Sequence, residues 1–276
     1  MGSLPTVSVC VVAYNEERHI GRLLDSLEDQ SHAPLEVIVA DDGSRDHTAE
    51  IAAAKGATVL RLEHRGPAQA RNAAARVARG EVLVFLDGDM ACDSRFIEHL
   101  ALPIAEGRAV GTFTREIRIA NTANGWARGY AALSWSPPDR LLPVGFPERW
   151  DIFHAIRRES FLAVGGYDDV GYGEDRTVAA KLGEQALAAE GAICFHYHPD
   201  TPREVFENGR WVGRGAAIRT LRRRWWTHSP PRILALALAQ IAVGRTPWVL
   251  PARLVYHAGV WVGLADASRA PGRHWK

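Results

Sequence analysis

Four short apolar runs rich in β-branched residues punctuate the first ninety residues: Val7 to Ala13 (VSVCVVA), Leu35 to Ala40 (LEVIVA), Ala57 to Leu62 (ATVLRL) and Val82 to Leu86 (VLVFL). Each stops at polar residues or glycine, which is the signature of short buried strands. Helical spacing fills the gaps between them. Ile20, Leu23, Leu24 and Leu27 stand at i, i+3, i+4 and i+7 after Asn15 as the capping candidate; Thr48 to Lys55 is closed by Gly56; Ala70, Ala73, Ala74 and Val77 follow Pro67 at a helix start. Strands alternating with helices require right-handed crossovers and a parallel sheet covered on both faces. The first ninety residues are therefore expected to be α/β and Rossmann-like.

In such a sheet, ligands bind beyond the carboxyl ends of the strands. The polar residues that follow the strands share that edge: Tyr14-Asn15-Glu16, Asp41-Asp42-Gly43-Ser44 and Asp87-Gly88-Asp89. Taken alone, the two carboxylates of LDGDM suit either a solvated turn or a cation held against a ligand.

The chain's 276 residues, 47% apolar and 24% charged, provide for one large core or a core with an appendage. Cys10, Cys92 and Cys194 are odd in number and widely spaced, which suggests neither a disulfide framework nor a zinc site and fits a reducing compartment. The N-terminus lacks the basic flank and apolar stretch of a secretory signal, so a cytoplasmic location is expected. MGSLPT matches a myristoylation pattern through Gly2 and Thr6, but it serves equally as an ordinary start before the strand at Val7. The net charge of +1 conceals an asymmetry. From Arg203 to Lys276 there are 13 basic and 3 acidic residues, an excess of ten, which leaves about −9 for the residues before them.

Residues 91–150, with Pro137-Pro138, Pro143 and Pro147, read as a long loop region containing one helix around Trp126 to Ser134. A helix is expected over Arg176 to Leu187. CFHYHPD places His196 and His198 on alternate positions of a strand, facing the same way. Two uncharged stretches near the end, Ile233 to Gly244 and Leu254 to Ala265, are each too short to span a bilayer.

The segments VSVCVVAYNEE, VIVADDGSRDHT, GPAQARNAAARVARGEVLVFLDGDM, AIRRESFLAVGGYDD and YGEDRTVAAKL resemble family 2 glycosyltransferases in content and order, over residues 7 to about 200. A D-x-D triplet alone arises by chance in about one chain of this size, so the order of the five segments carries the resemblance. It implies a GT-A fold, a nucleotide-sugar donor, and Mn²⁺ or Mg²⁺ as cofactor. Carried over residue by residue, Asp89 is the metal ligand and Asp87 the ribose or metal-water contact. A hard cation there would neutralise the diphosphate leaving group. Asp42 matches the position that accepts from the nucleobase, with Tyr14 packing on the base and Glu16 assisting; ordinary loop packing or helix capping would also explain the last two. Asp41 is expected to cap its loop. Arg71 of the ARN segment matches a position near the nucleotide, though an exposed helix charge is the simpler alternative.

Inverting transfer needs a base for the acceptor hydroxyl. The resemblance assigns this to Asp175 of GYGED, with helix capping as the rival role, and leaves Glu174 to orient the acceptor. A metal-binding histidine occurs in the C-terminal region of some GT-A enzymes, and His198 is the residue chosen for it; His154 is taken as structural. Processive members carry Q-x-x-R-W, whereas LRRRW at 221–225 has Leu in place of Gln, which argues for transfer of a single sugar.

The expected organisation is a catalytic domain over 1–220, with a nucleotide-sugar half to about 110 and an acceptor half over 111–220, and a basic, Trp-rich helical segment over 221–276. That segment suits either an anionic membrane surface, at the inner face of the cell membrane, or a soluble subdomain or homodimer contact. Glycan, lipid-linked and small-molecule acceptors all remain open, and no nucleic-acid partner is expected. A sugar-phosphate nucleotidyltransferase would need a Gly-rich phosphate loop that VVAYNEERHIG lacks, and a dehydrogenase would need G-x-G-x-x-G. A non-catalytic nucleotide-sugar or membrane-associated binding protein is the remaining alternative, distinguished by donor binding without metal-dependent sugar release.

Overall fold

The computed structural model describes residues 3–135, 137–170, 173–215 and 228–269; the LRRRW stretch and residues 171–172 of the GYGED run lie outside the described residues. Four strands form where expected: β1 (Val7–Ala13), β2 (Glu36–Asp41), β3 (Thr58–Arg61) and β4 (Val82–Asp87). β1 is buried at every residue, as is Val82 to Leu86 of β4. Successive side chains of a strand point to opposite faces, so both faces of the sheet are covered here.

The helices between these strands are α1 (Ile20–Glu28), α2 (Thr48–Ala54) and α3 (Pro67–Val77). α1 buries Ile20, Leu23, Leu24 and Leu27, the four residues its spacing selected. Asn15 does not cap it. Asn15 has φ 57°, and its Oδ1 accepts from the Arg45 backbone N–H at 2.9 Å, tying the loop after β1 to the loop after β2. In α3 the buried face is turned from the one expected: Ala70, Asn72, Ala74 and Ala75 are inside, and Val77 is 49% exposed.

The region expected to be mostly loop is structured. It contains β5 (Met90–Cys92), α4 (Phe96–Ala105), β6 (Gly111–Phe113), β7 (Glu116–Ile119) and α5 (Gly125–Ala131), the last followed by a 3₁₀ turn over Ala132–Ser134, close to the one helix anticipated there. Then come β8 (Arg149–Trp150), β9 (Ala155–Arg157), α6 (Arg158–Ala163), α7 (Thr177–Leu182), β10 (Ala186–Ala188), β11 (Ile193–His196), α8 (Pro202–Arg214), α9 (Pro230–Ala242) and α10 (Val249–Arg269). The helix expected to reach Leu187 stops at Leu182 because Gly183 takes a left-handed conformation, which frees Ala186 to enter a strand.

The main sheet runs β3-β2-β1-β4-β9-β6-β10-β8, and β5, β11 and β7 form a smaller one. β1 to β4 are parallel, whereas β9 is antiparallel to both β4 and β6. The register aligns the carboxyl ends: Ala13 faces Asp41, and Val12 faces Asp87. Asp42 N–H donates to Ala13 O and Gly88 N–H to Val12 O, both at 2.9 Å, so the polar loops leave the sheet together.

The chain divides into two compact units. The first comprises residues 1–118, 144–169 and 174–196, and the second residues 119–143, 170–173 and 197–276. The second is helical. Its α8 and α10 approach at glycines: a side chain on Gly209, Gly213, Gly259 or Gly263 would meet the backbone of the facing helix. This small-x-x-x-small spacing on both helices brings their main chains together. Asp266 of α10 accepts from Arg210 and Arg214 of α8 at 2.8 and 2.7 Å.

Candidate active site

The carboxyl edge of the first unit gathers Tyr14, Glu16, Asp42, Asp87 and Asp89, and Arg71, Glu174 and Asp175 belong to the same unit. Gly88 has a steric reason to separate the two acids: a Cβ there would come within 3.0 Å of Glu16 Cγ and 3.2 Å of Ala13 Cβ. The Glu16 side chain therefore lies over the D-G-D turn. Its carboxylate meets His19 Nδ1 at 3.1 Å, and its backbone N–H donates to Thr48 Oγ1 at 2.7 Å.

Asp42 is buried and highly engaged. Oδ1 accepts from Arg65 N–H, and Oδ2 from Gly66 N–H, at 2.9 Å each; His64 Nδ1 lies 2.8 Å from Oδ2. Three of about four lone-pair sites on the carboxylate are thus in use. The His64 ring in turn stacks on Tyr14, with centroids 4.1 Å apart and planes at 14°. His64 was not singled out in the sequence, because its role depends on a partner fifty residues away. Asp41 accepts from Ser44 N–H at 3.1 Å and so caps the loop as expected.

Arg71 is the hub. Nη1 donates to Glu174 Oε1 and Nη2 to Asp87 Oδ1, both at 2.7 Å, and the guanidinium carbon lies 5.8 Å from the Tyr167 ring centre. Burial works against its charge, but Asp87 and Glu174 outweigh burial and hold Arg71 protonated. Asp87 is held below its usual carboxylate range: desolvation, the largest single influence, would raise it, but Arg71, His196 and His154 together lower it by more. Arg71 is thus not the exposed helix charge that offered the simpler reading. Asn72 fixes the next loop, donating to Tyr167 O at 2.8 Å and accepting from Tyr167 N–H at 2.9 Å.

Glu174 and Asp175 lie in a 3₁₀ turn before α7, whose start makes no side-chain capping bond, so Asp175 is not serving as a cap. Its carboxyl is pushed up to about 6, first by burial and then by the neighbouring Glu174, with Arg71 opposing. His154 moves the other way, down to about 4, chiefly by burial; its Nδ1 accepts from Thr114 N–H at 3.1 Å, as a neutral imidazole can.

Asp89 Oδ1 is buried and makes no hydrogen bond, and His196 Nε2 stands 3.6 Å from it. A buried carboxylate oxygen without a donor suits a cation. Among the described residues no group of three or more His, Cys, Asp or Glu could hold a metal by itself. The two histidines of CFHYHPD do not share a strand: β11 ends at His196, and His198 belongs to the second unit. There Asn121 pairs with its backbone, accepting from His198 N–H at 3.1 Å and donating to its carbonyl at 2.8 Å, and the Tyr130 ring packs edge-on against the imidazole.

The mainly parallel sheet with acids along its carboxyl edge matches the GT-A fold implied by the order of the sequence segments. The model for Glycosyl transferase family 2 matches residues 8–165, more than half of the sequence, and the chain belongs to that family. Among its relatives, an uncharacterized glycosyltransferase, EpsJ of Bacillus subtilis, is 36% identical over 102 residues, covering 35% of this chain and 30% of EpsJ. The beta-monoglucosyldiacylglycerol synthase of Nostoc is 29% identical over 196 residues, covering 66% of this chain and 42% of the synthase. The chain therefore spans less than half the length of these curated relatives. Among solved structures, the mannosyltransferase PcManGT of Pyrobaculum calidifontis, in complex with GDP-Man and Mn2+, has a TM-score of 0.58 at 20% identity, covering 96% of this chain and 88% of that one. TarS 1-349 of S. aureus, in complex with UDP, has a TM-score of 0.52 at 18% identity, covering 97% and 93%. At these identities the likeness is one of fold.

Proposed function

We propose that this glycosyltransferase is inverting and metal-dependent, moving a single sugar from a nucleotide-sugar donor to an acceptor hydroxyl with Asp175 as the base. The observation that carries the reading is the bridge from buried Glu174 through Arg71 to the half-exposed Asp87, beside which the Asp175 carboxyl is pushed up to about 6. A base with a pKa near working pH is ionised yet still basic enough to take a proton. The acceptor oxygen attacks the anomeric carbon from the face opposite the diphosphate. A new carbon–oxygen bond forms, the bond to the diphosphate oxygen breaks and its electron pair leaves with the nucleotide. The acceptor's proton passes to Asp175.

The donor is assigned to about residues 1–110. Tyr14, stacked on His64, offers a flat surface for the base, Asp42 an acceptor site beside it, and Glu16 a lid over the D-G-D turn. Asp87 is assigned to the ribose side. Glu174, already bonded to Arg71, is assigned to holding that guanidinium in place of orienting the acceptor. Asp89 would hold the cation, and His196, 3.6 Å from its Oδ1, joins His198 as a candidate imidazole ligand. An imidazole beside a carboxylate favours Mn²⁺ over an all-oxygen site. When bound, the Mn²⁺ or Mg²⁺ neutralises charge on the departing diphosphate.

The test is nucleotide release from a panel of nucleotide sugars with Mn²⁺, with and without candidate acceptors. Release is expected from one donor class and is expected to be lost in Asp89→Ala and Asp175→Ala. Unchanged release in both variants would sink the assignment.

A further inference from the structure

The two C-terminal helices present apolar outward faces and bury Gln240, Arg253 and His257 among their inward apolar residues. Along α9 the exposed residues are Pro230, Pro231, Leu234, Ala235, Leu238, Ala239 and Ala242, none of which bears a charge or a hydrogen-bonding side chain. Along α10, Leu254, Ala258, Val262 and Ala265 are exposed at i, i+4, i+8 and i+11. Leu234, Leu238, Leu254 and Val262 are 46%, 53%, 51% and 39% exposed, whereas Gln240, Arg253 and His257 are 0%, 5% and 8% exposed. The buried polar groups are engaged: Arg253 Nε donates to Gln240 Oε1 at 3.0 Å, and its Nη2 to Leu133 O at 3.1 Å. An ordinary surface helix shows the reverse, with charge outward and apolar residues toward the core. Exposed apolar stripes along both helices mark an interaction surface.

We propose that the outer face of α9 and α10 docks on an anionic lipid bilayer, lying in its interface without crossing it. Two observations exclude crossing, and the charge of the segment selects the occupant. No helix among the described residues is long and apolar enough to cross a membrane. α9, with 13 residues, spans only about 20 Å at 1.5 Å per residue, short of a hydrocarbon core of about 30 Å. The apolar face also belongs to the part of the chain with an excess of ten positive charges, from Arg203 onward, which complements anionic headgroups. The close glycine packing of α8 on α10 adds a helix contact that does not rely on water to drive it. Docked this way, the transferase would be held where a lipid-linked acceptor is presented.

The test is cosedimentation of the full chain with vesicles of equimolar phosphatidylglycerol and phosphatidylcholine, against phosphatidylcholine alone, at low and high salt. Binding is expected to the anionic vesicles and to weaken with salt. L234E/L238E is expected to lower it at least about tenfold. Both side chains face solvent, so the variant should keep its circular dichroism melt and its nucleotide release in solution. A chain that stays in the supernatant with both vesicle types overturns the proposal, and so does a variant that binds as tightly as the parent. A lipid-free dimer dissolved by L234E/L238E would assign the face to a second copy and overturn it as well. Vesicle binding does not require catalysis, so its failure is separable from failure of the sugar-transfer reading.

Discussion

Arg71 Nη1 donates to Glu174 Oε1 at 2.7 Å across 103 residues of sequence, joining α3 to the 3₁₀ turn before α7. The other guanidinium nitrogen holds Asp87 at the same distance, so one buried cation fixes an acid from the D-G-D turn and one from the pair that contains Asp175. A bidentate planar fork can do this, and a lysine ammonium cannot hold both in one geometry.

Removing that cation should therefore be costly. Arg71→Met leaves Glu174, whose side chain is 6% exposed, without a counter-charge. Breaking a buried ion pair by deleting one partner costs about 3 kcal/mol or more, and the low end is expected because Asp87 is 45% exposed and can turn to water. Urea denaturation should show the loss. Glu174→Gln keeps an acceptor for Nη1 and should lose less. Equal losses in the two variants would refute the account of Arg71 as a two-sided anchor.

Asp175 gives two pH dependences with opposite meanings. As the proposed base it must be ionised, so kcat/KM should fall about tenfold per unit below a midpoint near 6. Glu174 is the second cause of the raised value, so Glu174→Gln should move that midpoint to lower pH. For stability the sign reverses. The carboxyl sits near 3.8 when unfolded and about 6 when folded, so the folded state holds the extra proton between those values. Its contribution is fully present below about pH 4 and lost as pH rises through 6. Asp175→Asn should accordingly be more stable than the parent at pH 8, by on the order of 2 kcal/mol, and nearly equal to it at pH 4. Thermal melts at the two pH values check this, and nucleotide release should be abolished in the same variant.

The sequence made the local half of this molecule legible. Ile20, Leu23, Leu24 and Leu27 are all buried, and β1 occupies the predicted run, because periodicity and strand composition are local properties. α4 was missed: Pro103 inside it and the dense apolar run from Phe96 obscured its helical period. α3 turned its face because Asn72 is drawn inward by Tyr167, 95 residues away, leaving Val77 in water. The acids of the site were visible as strand-end residues, but their partners were not. The stack of His64 on Tyr14, the three bonds into Asp42 and the Arg71 bridge all depend on pairings between distant segments, which no spacing encodes.

Asp89 should separate function from stability. Its buried Oδ1 accepts no hydrogen bond and meets only the His196 imidazole at 3.6 Å, so Asp89→Asn removes no hydrogen bond at that atom and should leave the melting temperature nearly unchanged. If Asp89 holds the cation against the donor diphosphate, the same change should lower transfer by about 100-fold or more, and chelation by EDTA should do likewise in the parent. Titrating Mn²⁺ in the presence of a nucleoside diphosphate, followed by electron paramagnetic resonance, should show weakened binding in the variant. A destabilised Asp89→Asn with normal Mn²⁺ binding would make this residue structural.

Asn72 and Gly166 form the last coupled pair. Asn72 satisfies both backbone groups of buried Tyr167, whose ring lies beside the Arg71 guanidinium, so Asn72→Ala leaves two buried polar groups unpaired and should cost about 2 to 3 kcal/mol. Gly166 has φ +73°, and a methyl group there would run into Asn72 Oδ1. Gly166→Ala thus carries two penalties, the left-handed backbone and the collision. In an Asn72→Ala background the collision is gone and only the backbone penalty remains, about 1 kcal/mol. The double variant should therefore be less destabilised than the sum of the singles, a coupling that a denaturation cycle on the four proteins measures directly. Strict additivity would mean that Asn72 does not press on Gly166, and the loop carrying Tyr167 would then owe its position to other contacts.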